Sequence, residues 1–209
     1  MRQKAEAAVA KVYSFQGVVP VIDPTAFVHP DAVLIGDVMV GAGVFVGPNA
    51  SLRGDFGRLI LEAGVNFQDN CIMHGTPGTD TVVEQEGHIG HGAVLHGCRI
   101  KRNALVGIKS VILDGAVVGE DAFVAAGAVV RNGFEVPPGM LAAGVPAKIV
   151  REVGADDLKW KREATALYQE LARLSLATLR PAEPLSAPER DRKRTHVTDI
   201  KPMHEARRK

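Results

Sequence analysis

Large apolar residues recur at every sixth position through most of this chain, and the side chain four residues after each of them is usually small. These apolar anchors are Val28, Leu34, Val40, Val46 and Leu52, then Leu61, Phe67 and Met73, then Ile89 and Leu95, then Ile100, Val106, Ile112, Val118, Val124 and Val130. A six-residue period fits a short strand and a turn, with the anchor in a narrow core and the small residue at a tight corner. The pattern predicts an all-β solenoid, a parallel β-helix.

A helical interpretation of the same pattern fails on its glycines. The stretch 100–130 contains Gly107, Gly115, Gly119 and Gly127. Each would cost up to about 1 kcal/mol in a helix interior. Short strands separated by turns accommodate these glycines without that cost.

The pattern of repeats resembles the hexapeptide-repeat family over about residues 17–150. The resemblance implies a left-handed parallel β-helix of triangular section, in which three hexapeptides make one coil. The left hand comes from the resemblance and not from the spacing, since most parallel crossovers are right-handed.

The chain is predicted to divide into four segments: an N-terminal extension at 1–16, the hexapeptide-repeat β-helix at 17–150, a C-terminal α-helix at 155–180 and a basic extended tail at 181–209. In the helix, Leu167, Leu171 and Leu174 form an apolar stripe that we expect to pack on the prism. The tail is interpreted as solvated, with a subunit-docking arm as the alternative.

The composition of the chain argues against some classes of partner. There are 25 basic and 24 acidic residues, and this balance of +1 argues against a nucleic-acid or membrane partner. No apolar run reaches the ~20 residues of a membrane helix, and no signal peptide is visible, so we expect a cytoplasmic protein. Cys71 and Cys98 occupy apolar repeat positions and are interpreted as small buried thiols.

Counting anchors around three faces places two histidines in one column. Leu52 begins the first face, and Met73 and Leu95 return to it if the surplus chain near 75–87 forms an outward loop. His74 and His96 each follow a first-face anchor by one residue, as Arg53 does. Stacked strands lie ~4.8 Å apart, so the two imidazoles can share a metal ion.

His91 follows Ile89 by two residues and therefore lies at a different edge of the prism. It should not reach the metal of its own chain. A three-fold arrangement of prisms would bring it against His74 and His96 of the next copy. The register predicts a homotrimer with a metal at each interface, held by His74, His91 and His96.

The motifs around these histidines resemble those of the γ-class carbonic anhydrases and their relatives. The matching segments are Arg53-Gly54-Asp55, Asn66-Phe67-Gln68-Asp69, His74 and His91-Gly92-Ala93-Val94-Leu95-His96. The segment 18–151 is similar to a bacterial branch of that family with members in phenylacetate degradation and the carnitine operon. This resemblance implies Zn²⁺, or else Fe²⁺ or Co²⁺, across a trimer interface.

Further roles are implied by the same resemblance. Gln68 is the catalytic side chain that orients metal-bound water, and Asp55 is a second catalytic residue that orders the interface. Arg53 and Asp69 form an intersubunit ion pair. We expect His88 to lie near the site, as a weaker candidate for contact with substrate.

Three neutral imidazoles leave Zn²⁺ an open position, where the pKa of bound water falls to ~7 and hydroxide becomes available. Such a nucleophile can attack CO₂ or an activated acyl carbon. Phe56 stands where efficient γ-class carbonic anhydrases have Glu, which favours binding of an acyl or aryl group. No residue of the acidic loop aligns with their proton shuttle. The branch suggests a metal-dependent hydrolase, an acyl-CoA thioesterase of phenylacetate catabolism with weak CO₂ hydration.

Two other functions stay open at this point. One is a CoA-dependent acyltransferase in which a histidine serves as general base without metal. The other is a non-catalytic trimer in which the metal only joins subunits. Chelation separates these possibilities, because only the metal-dependent hydrolase should lose its activity when the metal is removed.

Overall fold

The computed structural model describes residues 10–195, which form short strands and one helix. In chain order they are β1 (Lys11–Tyr13), β2 (Val21–Ile22), β3 (Phe27–Val28), β4 (Val33–Val40), β5 (Phe45–Val46), β6 (Ser51–Leu61), β7 (Asn66–Phe67), β8 (Ile72–His74), β9 (Thr81–Val83), β10 (His88–Ile89), β11 (Val94–His96), β12 (Arg99–Ile100), β13 (Leu105–Val106), β14 (Val111–Ile112), β15 (Val117–Val118), β16 (Phe123–Val124), β17 (Val129–Val130), β18 (Glu135–Val136), β19 (Met140–Gly144), β20 (Ala147–Glu152) and α1 (Ala155–Thr178).

The strands stack into three faces. The first face contains β1, β8, β11, β14, β17 and the first halves of β4 and β6. The second contains β2, β9, β12, β15, β18 and the second halves of β4 and β6. The third contains β3, β5, β7, β10, β13, β16 and β19. All of these strands pair in parallel, and the antiparallel hairpin β19–β20 ends the repeat. The predicted parallel β-helix is confirmed.

The core consists of the anchors and the small corner residues. Every anchor except the half-buried Val28 is at most 3% exposed. The small residues that follow, such as Ala104, Ala116 and Ala122, are completely buried. Since each coil is narrow, a larger side chain at these corners would have to displace the neighbouring strand.

The corners depend on a left-handed backbone residue three positions before each of many anchors. This position is Gly or Asn in most of these coils, as at Gly92 with φ 69° and Asn70 with φ 58°, while Glu86, Lys109 and Asp121 occupy it in the others. Gly and Asn adopt this region at little cost, whereas most other residues are strained in it. Gly or Asn three residues before an anchor is therefore a second feature of the sequence that repeats together with the anchors.

The counted register is correct for the segment that carries the histidines. Leu52 pairs with Met73, and Met73 pairs with Leu95, all on the first face. The outward loop is shorter than the predicted 75–87, because β9 (Thr81–Val83) lies inside that range and pairs on the second face.

The structure describes part of each predicted terminal segment. Part of the predicted extension 1–16 belongs to the sheet, since β1 (Lys11–Tyr13) pairs with β4. Residues 181–195 are exposed and form neither helix nor strand. The remaining parts of both segments, 1–9 and 196–209, lie outside the described residues.

Helix α1 (Ala155–Thr178) packs on the third face at β3, β5 and β7. The predicted stripe of Leu167, Leu171 and Leu174 is half-buried, and Leu171 packs against Phe27 and Phe45 of the third face. The side chains that α1 buries are those of Asp157, Lys161, Ala164, Thr165 and Ala172. Within residues 10–195, no helix has the length and apolar character to cross a bilayer.

Lys161 fixes the rotation of α1. Its side chain is completely buried, and its Nζ donates hydrogen bonds to the carbonyl oxygen of Glu86 and to Oδ1 of Asn103. Burial lowers the pKa of Lys161 to about 7, and Arg162 and Arg102 act in the same direction. The carboxylates of Glu86 and Asp121 offset only part of this shift.

The stability of the protein should therefore depend on pH through Lys161. Its folded pKa of about 7 lies below the ordinary 10.5, so the unfolded chain binds more protons between these values. The free energy of unfolding should then rise with pH, by at most about 1.4 kcal/mol per pH unit from this group. Denaturant titrations at fixed protein concentration from pH 7 to 10 measure the slope. It should be smaller in Lys161→Met and unchanged in Lys159→Met, an exposed lysine of the same helix. Equal slopes in all three proteins would contradict the assignment.

Candidate functional site

His74 and His96 lie side by side on the outside of the first face. They are register partners on β8 and β11, and their ring centroids are 5.2 Å apart. Both follow a buried anchor, and since side chains alternate along a strand, both point outward. Nδ1 of His74 lies 3.2 Å from Nε2 of His96. The structure thus brings together the two imidazoles that the register predicted in one column.

A carboxylate holds the far nitrogen of each ring. Nε2 of His74 is 2.9 Å from Oδ1 of Asp55, and Nδ1 of His96 is 2.6 Å from Oδ1 of Asp114. Ionised carboxylates only accept hydrogen bonds, so the ring protons belong on these far nitrogens. When both rings are neutral, the two near nitrogens face each other with lone pairs, an arrangement that a cation between them would stabilise.

The spacing of the near nitrogens fits a metal ion. Two ligands about 2.0–2.1 Å from a tetrahedral Zn²⁺ are themselves about 3.3 Å apart. The observed separation is 3.2 Å. Carboxylates that hold the far nitrogens of ligating histidines are a common feature of metal sites. His74 and His96 therefore fit as two ligands of one ion.

Asp114 is a candidate site residue that the sequence did not predict. It reaches His96 from the next coil, because Gly97 leaves the space between them open. A side chain at position 97 would collide with Oδ1 of Asp114. The anchor count gives no signal for this carboxylate, because Leu95 pairs with Ile112 and the count therefore places Leu113 beside His96.

Asp55 is ionised by its neighbours. Burial raises its pKa, but hydrogen bonds from Arg53 and His74 and the charge of Arg53 lower it by more, so the net shift is downward. Nη1 of Arg53 lies 2.6 Å from Oδ2 of Asp55. In one chain Asp55 thus links Arg53 to the histidine pair.

His91 lies apart from this pair, on the turn between the third and first faces. Its Nδ1 is 2.8 Å from Oδ2 of Asp69, and its backbone N–H donates to Oε1 of Gln68 at 3.2 Å. Among residues 10–195, no three His, Cys, Asp or Glu side chains gather as a metal site. Within one chain Arg53 and Asp69 bond other residues, namely Asp55 and His91. The intersubunit ion pair and the third metal ligand stay predictions.

Gln68 is fixed in a buried polar cluster at the end of the third face. Its Nε2 donates to Oδ1 of Asn66 at 2.9 Å and to Nε2 of His88 at 2.8 Å. Because an amide nitrogen only donates, His88 accepts at Nε2 and carries its proton on Nδ1. Burial lowers the pKa of His88 to about 3, with smaller contributions from Lys161 and His91, so the ring is neutral.

The predicted substrate-contact residues differ in exposure. His88 is 8% exposed and packs edge-on against the ring of Tyr168 at 5.5 Å. Phe56 is 60% exposed, and its ring lies 5.3 Å from that of His74. Phe56 thus forms an apolar wall directly beside the candidate metal site, while His88 supports Gln68 from within.

Known proteins share both the sequence and the fold of this chain. A family model described as bacterial transferase hexapeptide (six repeats) matches residues 97–132. Carnitine operon protein CaiE of Escherichia coli is 56% identical over 191 residues, which cover 91% of this chain and 97% of CaiE. A provisionally named acetyltransferase of Bacillus cereus has a solved structure with 38% identity and a TM-score of 0.79, covering 80% of this chain and 98% of that one.

A second solved structure gives the same result. It is a hexapeptide transferase family protein of Anaplasma phagocytophilum, with 35% identity and a TM-score of 0.75 over 78% of this chain and 96% of that one. These matches extend far beyond the repeats alone, since the CaiE alignment spans most of the chain. The chain therefore belongs to the hexapeptide-repeat family, in the γ-class carbonic anhydrase-like group that includes CaiE.

Proposed function

We propose that this protein is a trimeric, zinc-dependent hydrolase of acyl-CoA thioesters, with His74 and His96 of one subunit and His91 of the next as metal ligands. The observation that carries the proposal is the facing pair of imidazole nitrogens, 3.2 Å apart, with a carboxylate behind each ring. Fe²⁺ or Co²⁺ could take the place of zinc.

The first face favours assembly around this site. Its outward row next to the histidines contains Val33, Ile72, Val94, Val111 and Val129. Ile72 is 46% exposed in the isolated chain. Burying such a row against a neighbour is favourable by roughly 25 cal/mol per Å². Proteins of the hexapeptide-repeat family typically assemble as trimers.

Zinc held by His74, His96 and the neighbour's His91 would supply hydroxide near neutral pH, because three neutral imidazoles lower the pKa of zinc-bound water to about 7. The residues of the chain prepare the site for this chemistry. Asp55 and Asp114 each accept a hydrogen bond from the far nitrogen of one ring and so hold the two near nitrogens toward each other. Gln68, held by Asn66 and His88, has a fixed amide beside His91 and can orient a water molecule.

The surroundings favour an acyl substrate over CO₂. Phe56 lies beside His74, at the position where efficient γ-class carbonic anhydrases carry Glu. An apolar ring can pack against an acyl or aryl group but cannot move a proton away from the site. Hydrolysis of a thioester with weak CO₂ hydration fits this arrangement, and phenylacetate catabolism is the proposed setting.

Acyl transfer is the second candidate, favoured by the names of the solved relatives. One is a provisionally named acetyltransferase and the other belongs to a hexapeptide transferase family. These names support an enzymatic role in general. In a transferase of this kind a histidine would act as general base without metal.

Asp114 offers a direct test of the metal site. We expect Asp114→Asn to lower zinc affinity about 10- to 100-fold, because loss of a carboxylate behind a ligand weakens binding by that amount. Competition with a chromophoric chelator measures the affinity. Asp31→Asn removes a carboxylate that pairs with Lys11 at the surface, and it should leave affinity unchanged. Equal affinities for both variants and the wild type would contradict the role of Asp114.

Hydrolysis itself is tested with phenylacetyl-CoA and cyclohexanecarbonyl-CoA. Zinc-loaded wild-type protein should release CoA thiol, and chelation or His96→Ala should reduce the rate at least about 100-fold, since the nucleophile is lost. His29→Ala, at a histidine that contacts Asp31 away from the site, is the control. Rates no higher than those of His96→Ala would reject the thioesterase. Activity that survives chelation would favour the transferase.

A further inference from the structure

An open groove of about 690 Å³ lies between the third face and helix α1. Its floor is the outward row of Leu105, Phe123 and Leu141, from β13, β16 and β19. Trp160 and Leu167 of α1 form one wall. The groove is therefore lined mainly by apolar side chains, and its size is within the 300–1,000 Å³ usual for ligand pockets.

The groove exists because α1 covers only one side of the third face. Lys161 anchors the helix to Asn103 and to the Glu86 carbonyl, at the corner that precedes this face. Gln169 donates to the Gly64 carbonyl at the same corner. The opposite corner, with Ile108 at 50% exposed, is left uncovered and forms the second wall.

One end of the groove reaches the candidate active site. Gln68, His88 and His91 line it together. His91 is the residue that would ligate zinc against the neighbouring subunit, and Gln68 donates to His88 within the same end. At the other end, Arg151 and Asp157 form an ion pair at 2.8 Å. The charged groups of the lining are thus confined to the ends.

From this continuity we infer that the groove binds the apolar acyl group of the thioester substrate, an inference that rests on the proposed function. The acyl chain or ring lies on Leu105 and Phe123, and the carbonyl carbon lies at the His91 end. There the C–S bond breaks as a C–O bond to water oxygen forms, giving a carboxylate, the CoA thiol and one proton. The charged CoA moiety extends out of the groove, since its floor has no cation to bind phosphate.

Size selectivity follows from this assignment. Each buried CH₂ group should tighten binding about fourfold, so longer or aromatic acyl groups should bind more tightly than acetyl. A second copy of the chain could instead cover the groove. In that case Trp160 would be inaccessible to small molecules in the assembled protein.

Trp160 reports on occupancy, because it is the only tryptophan in the sequence and it lines the groove. The probes are octanamide, phenylacetamide and acetamide, which keep the acyl carbonyl but are not thioesters. With zinc-loaded full-length protein, octanamide and phenylacetamide should give a saturable change in Trp160 emission. Acetamide should give none at the same concentrations. Because no hydrolysis is involved, this result is independent of the thioesterase assay.

A matched pair of variants locates the binding. Leu105→Asp places a carboxylate in the floor and should weaken octanamide binding at least about tenfold, since an unpaired charge disfavours apolar burial. Val117→Asp changes the equivalent half-buried, outward position of the repeat on the second face and should bind as wild type. No saturable change in the wild type, or equal binding by both variants, would overturn the assignment. Circular dichroism of both variants checks that they fold.

Discussion

The whole structure depends on the stacking of equivalent repeat positions in successive coils. Many corners use a left-handed backbone residue, such as Gly92 or Asn70, and the chain returns to the same face one coil later. Neighbouring coils then pair in parallel, so a side chain at a given repeat position lies directly beside its equivalent. Anchors form a continuous core by this rule, and the histidines form a column on the surface.

The stacking of coils brings His74 and His96 together as a candidate metal site. His74 and His96 are 22 positions apart in sequence but neighbours in space, with near nitrogens at 3.2 Å. Asp55 lies on the preceding coil and Asp114 on the following one, and each fixes the proton of one ring. Four residues from successive coils thus create facing lone pairs that favour a cation. The chain places two candidate ligands on the first face, while His91 lies on a separate corner.

Much of the fold could be predicted because the period of six is direct evidence of the strand positions. The faces of His74, His91 and His96 followed from the anchor count, since β9 compensates for the loop before it. Asp114 was not predicted, because its reach to His96 depends on the space left by Gly97 and not on the anchor pattern. The packing of α1 was predicted only in part. Leu171 of the leucine stripe contacts Phe27 and Phe45 of the third face, but an apolar pattern gives no signal for the buried Lys161.

The central claim is that the metal site is shared between subunits, and a mixing experiment tests it most directly. His91→Ala and His96→Ala each remove one ligand, so neither variant alone should hold zinc tightly. Co-refolded at equal amounts, they should regain about one quarter of wild-type zinc, because random cyclic trimers contain one intact interface in about four. Zinc content no higher in the mixture than in the separate variants, or full zinc in either variant alone, would contradict the claim.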